Sequence, residues 1–493
     1  MFIKKRNNAK GSSRTSIKKV LNITCIFFVL FILAGCSMLQ KNSESSENKE
    51  IKKKPEQSIG TYKGNKSKAV SMVYTTKPVL SLTFNGMGDS DTMEQVLDLL
   101  DQSGLKATFF LPGMRVAEEP EIALEIKKRG HEIENNTLNG QDMSKYSYED
   151  IYKEIHLANK VIEEKVGVKP KYVRTVEGDY NEKIQLATAH NGQKAVIGNS
   201  LFLHNWRDET VLEKQHFIRK YMNRGGIITL DTEENKDLLA SLSLIIKAAK
   251  DVGYEFIPVD NLMAIGNERK PLQQIPGYDA AKVNLNYKNV QYTLNTHMNT
   301  SQKVVALSFD DWGTDYTITK ILNILEKYNV KASFFLRADG VEKNPNLARA
   351  IYEGGHDVGN HTYSHPIFTK STPLQIQEDI VKAHRVITEA IQAKPTMLLR
   401  PPTGAVTDKE AKIIAATGYT SISNYDVTPT DFDRKKSAVQ IVNSIMEQTR
   451  NGSVILLHTL DDTNTIEALP MAIEQLRQNG YRFVKMTDVI KVP

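Results

Sequence analysis

The chain has 493 residues, of which 40% are hydrophobic and 25% are charged. This composition is globular, and the length favours two or three domains over one. The formal net charge of +6 does not indicate nucleic-acid binding, because seven of the 64 basic residues lie within residues 1–35, where there is no acidic residue. Without those seven, 57 basic residues face 58 acidic ones, so the rest of the chain is close to neutral.

The basic start is followed by an apolar run from Val20 to Ala34 and by LAGC at residues 33–36. The run is short for a membrane span but suits the hydrophobic region of an export signal. LAGC resembles a lipoprotein signal box, which implies a signal peptide over residues 1–35 and lipid modification of Cys36. A plain N-terminal membrane anchor is the alternative. Both place the rest of the chain outside the cytoplasm, and we expect a lipid anchor in the bacterial cell membrane.

Residues 36–73 are rich in Lys, Ser, Asn and Glu and poor in large apolar residues. We expect them to form a solvated tether with little fixed structure. The chain contains two cysteines, Cys25 in the predicted signal and Cys36. No disulfide can therefore form within the later domains, which must rest on their apolar cores.

After the tether, strand-like and helix-like segments alternate. Amphipathic stretches with apolar residues at helical spacing separate short apolar runs. The strand candidates are residues 78–84, 107–111, 131–135, 172–175, 195–199, 226–230 and 254–259. This alternation favours a parallel sheet, and about seven units predict an α/β fold with a closed or nearly closed barrel.

The second half of the chain repeats the same order. KASFFLRADG matches KATFFLPGMR, and NGSVILLHT matches GGIITLDT, with an offset of 225 to 227 residues throughout. The chain therefore contains a duplicated domain. We expect one copy at residues 74–264, a linker at 265–300 in which NVQYTL is a candidate strand, and a second copy at 301–493.

The duplication supplies an internal comparison. Residues shared by both copies are scaffold candidates, such as Phe84 with Phe309 and His131 with His356. We interpret His356 as a packing or hydrogen-bonding residue, because its twin His131 lies in a copy that lacks the other reactive residues.

Seven positions carry a carboxylate or an imidazole in the second copy. At the matching positions of the first copy, only one residue, an aspartate, carries such a group. The seven residues are Asp310, Asp311, His361, His365, Asp426, Asp431 and His458, opposite Asn85, Gly86, Asn136, Gly140, Ser200, Asn205 and Asp231. All are predicted to lie at or just beyond the C-terminal ends of strands, where barrels of this kind build active sites.

Each element alone permits another interpretation. An Asp-Asp pair at a strand end is usually a turn or helix cap, and the two histidines of HTYSH can also be a solvated pair. Together, two imidazoles and a carboxylate form a three-ligand site with open positions, which indicates a catalytic metal. We take Asp311, His361 and His365 as the ligands. Asp310 is then available as a base for water, and His458 as an acid for a leaving amine, in hydrolysis of an amide or ester.

Five ordered motifs carry a family resemblance: SFDDW (308–312), HTYSH (361–365), RPPTG (400–404), DVTPTDF (426–432) and LLH (456–458). They resemble the NodB-homology polysaccharide deacetylases, carbohydrate esterase family four. The resemblance implies two tandem distorted (β/α)7 barrels, the first degenerate. It also implies metal-dependent removal of acetyl groups from N-acetylated sugars, most commonly with zinc and sometimes with cobalt, nickel or manganese.

The resemblance assigns roles to single residues. Asp310 is the base, Asp311, His361 and His365 hold the metal, and His458 is the acid. Arg400 and Asp431 support and tune the base and acid, although Arg400 has a twin, Arg174, in the depleted copy.

Three positions depart from the family pattern and are candidate substrate contacts: Trp312, Thr403 and Phe432 replace the usual Gly, Tyr and Trp. The oxyanion contact at Thr403 is expected through the backbone N–H. Trp312 adds a large ring near the site and is expected to narrow or reshape the sugar groove.

The expected function is deacetylation of N-acetylglucosamine polymers outside the cytoplasm, most directly peptidoglycan or a related cell-wall glycan, by residues 301–493. The alternative is a non-catalytic glycan-binding or regulatory lipoprotein with both barrels inactive, which metal content would help to distinguish. For residues 74–264 we predict no metal-dependent hydrolysis, and glycan binding, orientation of the second domain and a spacer role all stay open. The sequence indicates no protein partner.

Overall fold

The computed structural model describes residues 58–176, 178–203, 209–233 and 235–492. The predicted signal peptide, Cys36 and the first part of the tether lie outside these residues. The chain from Ser58 onward forms one compact unit that contains two parallel sheets surrounded by helices. None of the helices in the described ranges combines the length and apolar character needed to cross a membrane.

The first barrel (residues 58–264) is built on one sheet of parallel strands in the order β1-β6-β5-β4-β3-β2-β8-β7, with β9 beside β2. The strands are β1 (Lys68–Val70), β2 (Val79–Asn85), β3 (Thr108–Leu111), β4 (Glu132–Asn135), β5 (Tyr172–Val173), β6 (Ala195–Ile197), β7 (Leu201–Leu203), β8 (Ile227–Asp231) and β9 (Glu255–Phe256). All seven residues of β2 are buried, as expected for a central strand covered on both faces.

The second barrel (residues 293–492) has the matching order β10-β15-β14-β13-β12-β11-β16, with β17 beside β11. The strands are β10 (Thr293–Asn295), β11 (Val304–Asp311), β12 (Ser333–Leu336), β13 (Asp357–Asn360), β14 (Leu398–Leu399), β15 (Ser421–Ser423), β16 (Val454–His458) and β17 (Arg482–Phe483). The predicted α/β fold with two tandem barrels is confirmed.

Each sheet curls until its ends meet. In the first barrel, β6 pairs with β5 and the adjoining β7 pairs with β8, so the chain from Ala195 to Leu203 closes the ring. In the second barrel, β15 pairs with β14, and Val427 beyond it forms a parallel bridge to Ile455 of β16. The carboxyl ends of β11, β13 and β16 consequently face one rim.

Helices cover the outside of both sheets. The first barrel has α1 (Ser90–Gln102), α2 (Gly113–Glu118), α3 (Pro120–Lys128), α4 (Tyr148–Val166), α5 (Glu182–His190), α6 (Val211–Tyr221), α7 (Leu238–Val252) and α8 (Val259–Ala264). The second has α9 (Asp315–Lys327), α10 (Ala338–Lys343), α11 (Pro345–Glu353), α12 (Pro373–Ile391), α13 (Asp408–Ala415), α14 (Ala438–Gln448) and α15 (Thr465–Gln478). Their starts follow ordinary capping chemistry: Thr372 and Gln375, for example, form a capping box at α12.

The predicted tether and linker are more ordered than expected. Strand β1 lies inside the predicted tether and pairs with β6, and Tyr62 stacks on His190 with ring centroids 5.2 Å apart. The first barrel therefore begins before residue 74. Strand β10 confirms the candidate in NVQYTL, and Ala281 of the predicted linker is fully buried in a cluster of the second barrel. Strand β1 was missed because its three residues are too few to give a period-two signal.

A buried ion pair joins the two barrels. Arg224, between α6 and β8, lies with its Nη2 3.2 Å from Oδ1 of Asp315, the first residue of α9. Tyr254 and Asn344 also donate to the Asp315 carboxylate, at 2.5 Å and 2.9 Å. Burial would raise the pKa of Asp315, but Arg224 and these donors hold it below its usual value. The charge is thus desolvated and fully paired.

Candidate active site

The three predicted metal ligands meet at one rim of the second barrel. Asp311 ends β11, His361 follows β13, and His365 lies four residues later. Asp311 Oδ1 is 4.0 Å from His361 Nε2 and 3.8 Å from His365 Nε2. One ligand atom from each residue lies within 4.8 Å of the others. The geometry brings the set together, and metal binding itself stays a prediction.

The donor set fits a borderline divalent metal such as zinc. His361 Nδ1–H donates to the carbonyl oxygen of Arg400 at 2.9 Å, which leaves Nε2 as the lone-pair nitrogen facing the cluster. Burial and the neighbouring His361 lower the pKa of His365, so the neutral, metal-binding form is favoured. Two neutral imidazoles and one carboxylate leave positions open for water and substrate.

The predicted base is held by the predicted supporting arginine. Arg400 is fully buried, and its Nη1 donates to Asp310 Oδ1 at 2.7 Å and to Ser308 Oγ at 2.9 Å. The other carboxylate oxygen of Asp310 lies 3.7 Å from His361 Nε2. One oxygen is therefore fixed by a charge-assisted hydrogen bond, while the other faces the ligand cluster. Arg400 acts as a positioning residue.

The predicted acid stands on the neighbouring strand. His458 ends β16 and is the direct register partner of Asp310. Its Nδ1 is 2.7 Å from Asp431 Oδ1, and its backbone N–H donates to Asp431 Oδ2 at 2.8 Å. Burial lowers the pKa of His458, but the hydrogen bond and charge of Asp431 outweigh it and raise the pKa overall. The protonated form needed for an acid is therefore favoured.

The three departures from the family pattern lie around this cluster. The Phe432 ring stands edge-on to His458 with centroids 5.3 Å apart, and its side chain is exposed. Thr403 is exposed in the short 3-10 helix Pro402–Gly404, in left-handed conformation at φ 62°. Trp312 is half-buried and packs against Gly340 of α10, where an added Cβ would lie 2.1 Å from its ring. The Trp312 ring therefore packs against α10, and its effect on the sugar groove stays a prediction.

The expectation that Asp426 belongs to the reactive set is wrong. Asp426 accepts from Val454 N–H at 2.7 Å, at the start of β16, whereas His458 lies at the end of that strand. Its twin Ser200 accepts from Ile227 N–H at 3.0 Å, at the start of β8. Both residues thus cap the same strand start. Strand β15 is so short that the sequence does not show where the chain goes after it. By Asp426 the chain has already returned to the opposite end of the barrel.

Sequence comparison missed Asp379 on α12, which fixes the HTYSH loop. Its carboxylate accepts from Tyr363 N–H and from the Ser364 hydroxyl, both at 2.6 Å. In the first barrel, Glu154 accepts from Asn139 N–H at 3.0 Å at the matching place. Both copies carry a carboxylate at this position, Glu154 and Asp379, and this shared residue could have indicated the loop contact from sequence.

The first barrel keeps the scaffold without the reactive groups. Arg174, the twin of Arg400, is fully buried, but its Nη1 meets the amide oxygen of Asn85 at 3.3 Å instead of a carboxylate. Burial without a counter-ion lowers the pKa of Arg174 to about 9. Within the described part of this barrel, no group of three or more His, Cys, Asp or Glu converges as a metal site would; Asn205 lies outside the described residues.

Two metal-ligand positions have an unusual backbone. Asp311 and His365 are left-handed, at φ 73° and φ 59°. Their counterparts Gly86 and Gly140 have the same sign, at φ 79° and φ 62°. This conformation costs non-glycine residues roughly 1–2 kcal/mol and costs glycine almost nothing. The second copy therefore carries backbone strain at two predicted ligands, and the first copy lacks this strain.

The sequence matches a protein-family model described as polysaccharide deacetylase, at residues 73–196 and again at 297–422. The chain belongs to the polysaccharide deacetylase family and contains two tandem copies of its domain. A polysaccharide deacetylase is a hydrolase, and the complete set of predicted site residues lies in the second copy.

Several characterised proteins are similar to part of the chain. A peptidoglycan-N-acetylglucosamine deacetylase of Bacillus cereus is 30% identical over 195 residues, which cover 39% of this chain and 90% of the relative. The peptidoglycan-N-acetylmuramic acid deacetylase PdaA of Bacillus subtilis is 29% identical over 194 residues, covering 39% of this chain and 73% of PdaA. A solved structure of the peptidoglycan deacetylase PdaC from Bacillus subtilis aligns with a TM-score of 0.35 at 30% identity, over 38% of this chain and 90% of that chain.

Proposed function

We propose that the second barrel removes N-acetyl groups from an N-acetylglucosamine-containing cell-wall glycan, with peptidoglycan as the substrate, using a divalent metal held by Asp311, His361 and His365. The main support for this proposal is that one ligand atom from each of these three residues lies within 4.8 Å of the others, beside the buried Asp310. The activities in the names of the relatives support the choice of glycan. Zinc suits the donor set best, and cobalt, nickel or manganese are substitutes.

The bound ion would supply Lewis acidity, lowering the pKa of water and stabilising negative charge on the acetyl oxygen. Asp310 then takes the proton from the attacking water, because one of its oxygens faces the ligand cluster. Arg400 fixes the other oxygen through a charge-assisted hydrogen bond, so the Asp310 carboxylate is held in place. A backbone N–H at Thr403 is the proposed second contact for the oxyanion.

His458 completes the reaction by protonating the sugar nitrogen as the C–N bond breaks. The Asp431 carboxylate orients the imidazole through Nδ1, so the proton to be donated is carried on Nε2. The products are acetate and a free amine on the sugar. A glycan-binding protein with both barrels inactive would have no need for a base, an acid and three ligands held at these distances.

Acetate release from peptidoglycan and from chito-oligomers tests the proposal, with each metal added in turn. The protein should release acetate, and Asp310→Asn should lower kcat/KM by about 10²- to 10⁴-fold with metal content unchanged. Asp408→Asn, an exposed carboxylate paired with Lys412, is the control and should be fully active. Absence of release with all four metals, or release insensitive to Asp310→Asn, would refute the proposal.

We further propose that the protein is exported and anchored through a lipid on Cys36. This rests on the sequence of residues 1–36, which lie outside the described part of the chain. The wild type should be found in the membrane fraction and incorporate labelled fatty acid. Cys36→Ala should lose the label, and its persistence would favour a plain N-terminal anchor.

A further inference from the structure

A buried threonine lies directly behind the Asp431–His458 pair. Thr465 is the first residue of α15 and is 1% exposed. Its hydroxyl oxygen lies 2.7 Å from Asp431 Oδ2. An ionised carboxylate only accepts hydrogen bonds, so the Thr465 hydroxyl is the donor. The contact links the start of a helix to the carboxylate that pairs with the proposed acid.

The Asp431 carboxylate is fully buried, and three donors face it. Oδ1 lies 2.7 Å from His458 Nδ1, while Oδ2 accepts from the His458 backbone N–H and from the Thr465 hydroxyl. Two of these donors belong to His458 itself. Among the described residues, Thr465 is thus the one outside the pair that fixes the carboxylate by a hydrogen bond. A buried carboxylate that loses a donor is destabilised in its place, so its alignment with His458 depends on Thr465.

The segment that carries Asp431 is held by the start of α15 at a second point. Thr430, immediately before Asp431, has a left-handed backbone at φ 52°, which is unfavourable for a β-branched residue. Asn464, the residue before Thr465, donates its side-chain N–H to the carbonyl oxygen of Lys436 at 2.7 Å. Two neighbouring side chains of the helix start therefore offset the strain of this segment and keep it in place.

The first barrel has no hydroxyl at the corresponding position. The offset that places Asp231 opposite His458 also places Leu238 opposite Thr465. Leu238 is the first residue of α7 and is buried in an apolar cluster. An apolar side chain therefore fills this position in the copy that lacks the histidine. A buried hydroxyl costs free energy unless it is hydrogen-bonded, and in the second barrel the Asp431 carboxylate provides that bond.

We propose that Thr465 is a positioning residue for the acid: its hydroxyl holds the Asp431 carboxylate in the orientation that aligns His458 for proton donation. The assignment deepens the proposed function and rests on it. Because Thr465 is buried behind Asp431, it does not contact the glycan. Its hydroxyl therefore contributes to the proton-transfer step, and removing it should lower kcat and leave KM unchanged.

Three substitutions separate the hydroxyl of Thr465 from its methyl group. Thr465→Val keeps the shape and removes the hydroxyl, Thr465→Ser keeps the hydroxyl, and Thr465→Ala removes both groups. In Thr465→Val and Thr465→Ala, kcat for acetate release should fall by about 10- to 100-fold, because a hydrogen bond to a charged group is lost. Thr465→Ser should stay near the wild-type kcat, and all three should keep the KM and the metal content of the wild type. Serine and alanine differ only by the hydroxyl, so this pair decides the outcome even where Thr465→Val folds poorly.

Exchange of the His458 Nδ1 proton with water gives a second measurement that needs no substrate. It is followed by NMR on protein with isotope-labelled histidine, and the resonance is assigned by its loss in His458→Gln. The hydrogen bond to Asp431 protects this proton from exchange. Exchange should be about tenfold faster in Thr465→Val and Thr465→Ala than in the wild type, because the carboxylate is less firmly held. Thr465→Ser should retain the protection.

Thr487→Val is the matched control. The Thr487 hydroxyl donates to Asp357 Oδ1 at 2.7 Å at the start of β13, which is the end of the barrel away from the site. This variant should change neither kcat nor the exchange rate. Wild-type kcat and exchange in both Thr465→Val and Thr465→Ala would overturn the inference, as would an active Thr465→Val beside an impaired Thr465→Ser, which indicates a packing role. A wild type that releases no acetate would contradict the proposed function alone, since the exchange rates still decide the role of Thr465.

Discussion

The Asp431–His458 pair sets the protonation of the proposed acid, because the carboxylate raises the pKa of His458 against the effect of burial. Asp431→Asn removes that charge, so the pKa of His458 should fall. The descending limb of the kcat/KM profile, where the acid loses its proton, should then move to lower pH. Asp426→Asn alters an Asp–His pair at the opposite end of the barrel, with His297 at 2.8 Å, and should leave that limb in place. An unmoved limb in Asp431→Asn would show that another group titrates.

His131 and His356 are equivalent buried residues whose ring nitrogens accept from Ala107 and Ala332 N–H at 3.2 Å and 3.1 Å. The scaffold interpretation of His356 is thus confirmed. Burial lowers the pKa of each to about 4. Because the unfolded pKa is near 6.5, the folded state binds fewer protons, and stability present above pH 6.5 is lost as the pH falls toward 4.

Urea unfolding at pH 7, 5.5 and 4.5 measures this loss, which is on the order of 3 kcal/mol per histidine. Replacing both with Gln, which keeps an acceptor but does not titrate in this range, should flatten the decline. The exposed His156 on α4 provides the control, since His156→Gln should leave the slope unchanged. Identical slopes in the wild type and the double variant would contradict the assignment.

At the residue scale, most of the site could be predicted from the sequence because the two copies of the domain can be compared with each other. Asp310, Asp311, His361, His365, Asp431 and His458 were all singled out by their difference from the other copy, and the structure brings them to one rim. Asp426 also differs between the two copies, but it caps the start of β16 and does not lie at the site. Substitution between copies shows where chemistry changed, whereas only the three-dimensional path shows at which end of the barrel a residue lies.

At the scale of elements, the start of α9 depends on the first barrel, because Asp315 is 0% exposed and Arg224 is its cationic partner. Arg224→Met leaves a buried carboxylate unpaired and should lower the free energy of unfolding by about 3–5 kcal/mol. Adding Asp315→Asn removes the unpaired charge and should restore part of the loss. Arg129→Met, which breaks surface pairs with Asp98 and Glu125, should cost at most about 1 kcal/mol.

Elements differed in how far they could be predicted. The long apolar runs that became β2 and β11 were evident, because a strand buried on both faces must be apolar throughout. The three-residue strands β1 and β7 were missed, since pairing with a neighbouring strand, and not their own pattern, defines them. The interface between the barrels could not be predicted from the sequence. Its central pair, Arg224 and Asp315, is charged, and charged residues usually lie on the surface.

At the scale of the molecule, residues from Ser58 onward behave as one compact unit. Unfolding one barrel alone would expose Arg224, Asp315 and Asn344 without their partners. We therefore expect calorimetry to show a single transition for both barrels. In Arg224→Met the transition should broaden or divide. Two separate transitions in the wild type would show that the interface couples the barrels weakly.

The left-handed backbone at Asp311 and His365, matched by Gly86 and Gly140, sets folding against metal binding at these two positions. Glycine there removes a predicted ligand and relieves the backbone strain in a single substitution. A copy of this domain without ligands is therefore easier to fold than a copy that keeps them. In a chain with two copies, the copy that carries glycine is suited to serve as the stable partner of the other.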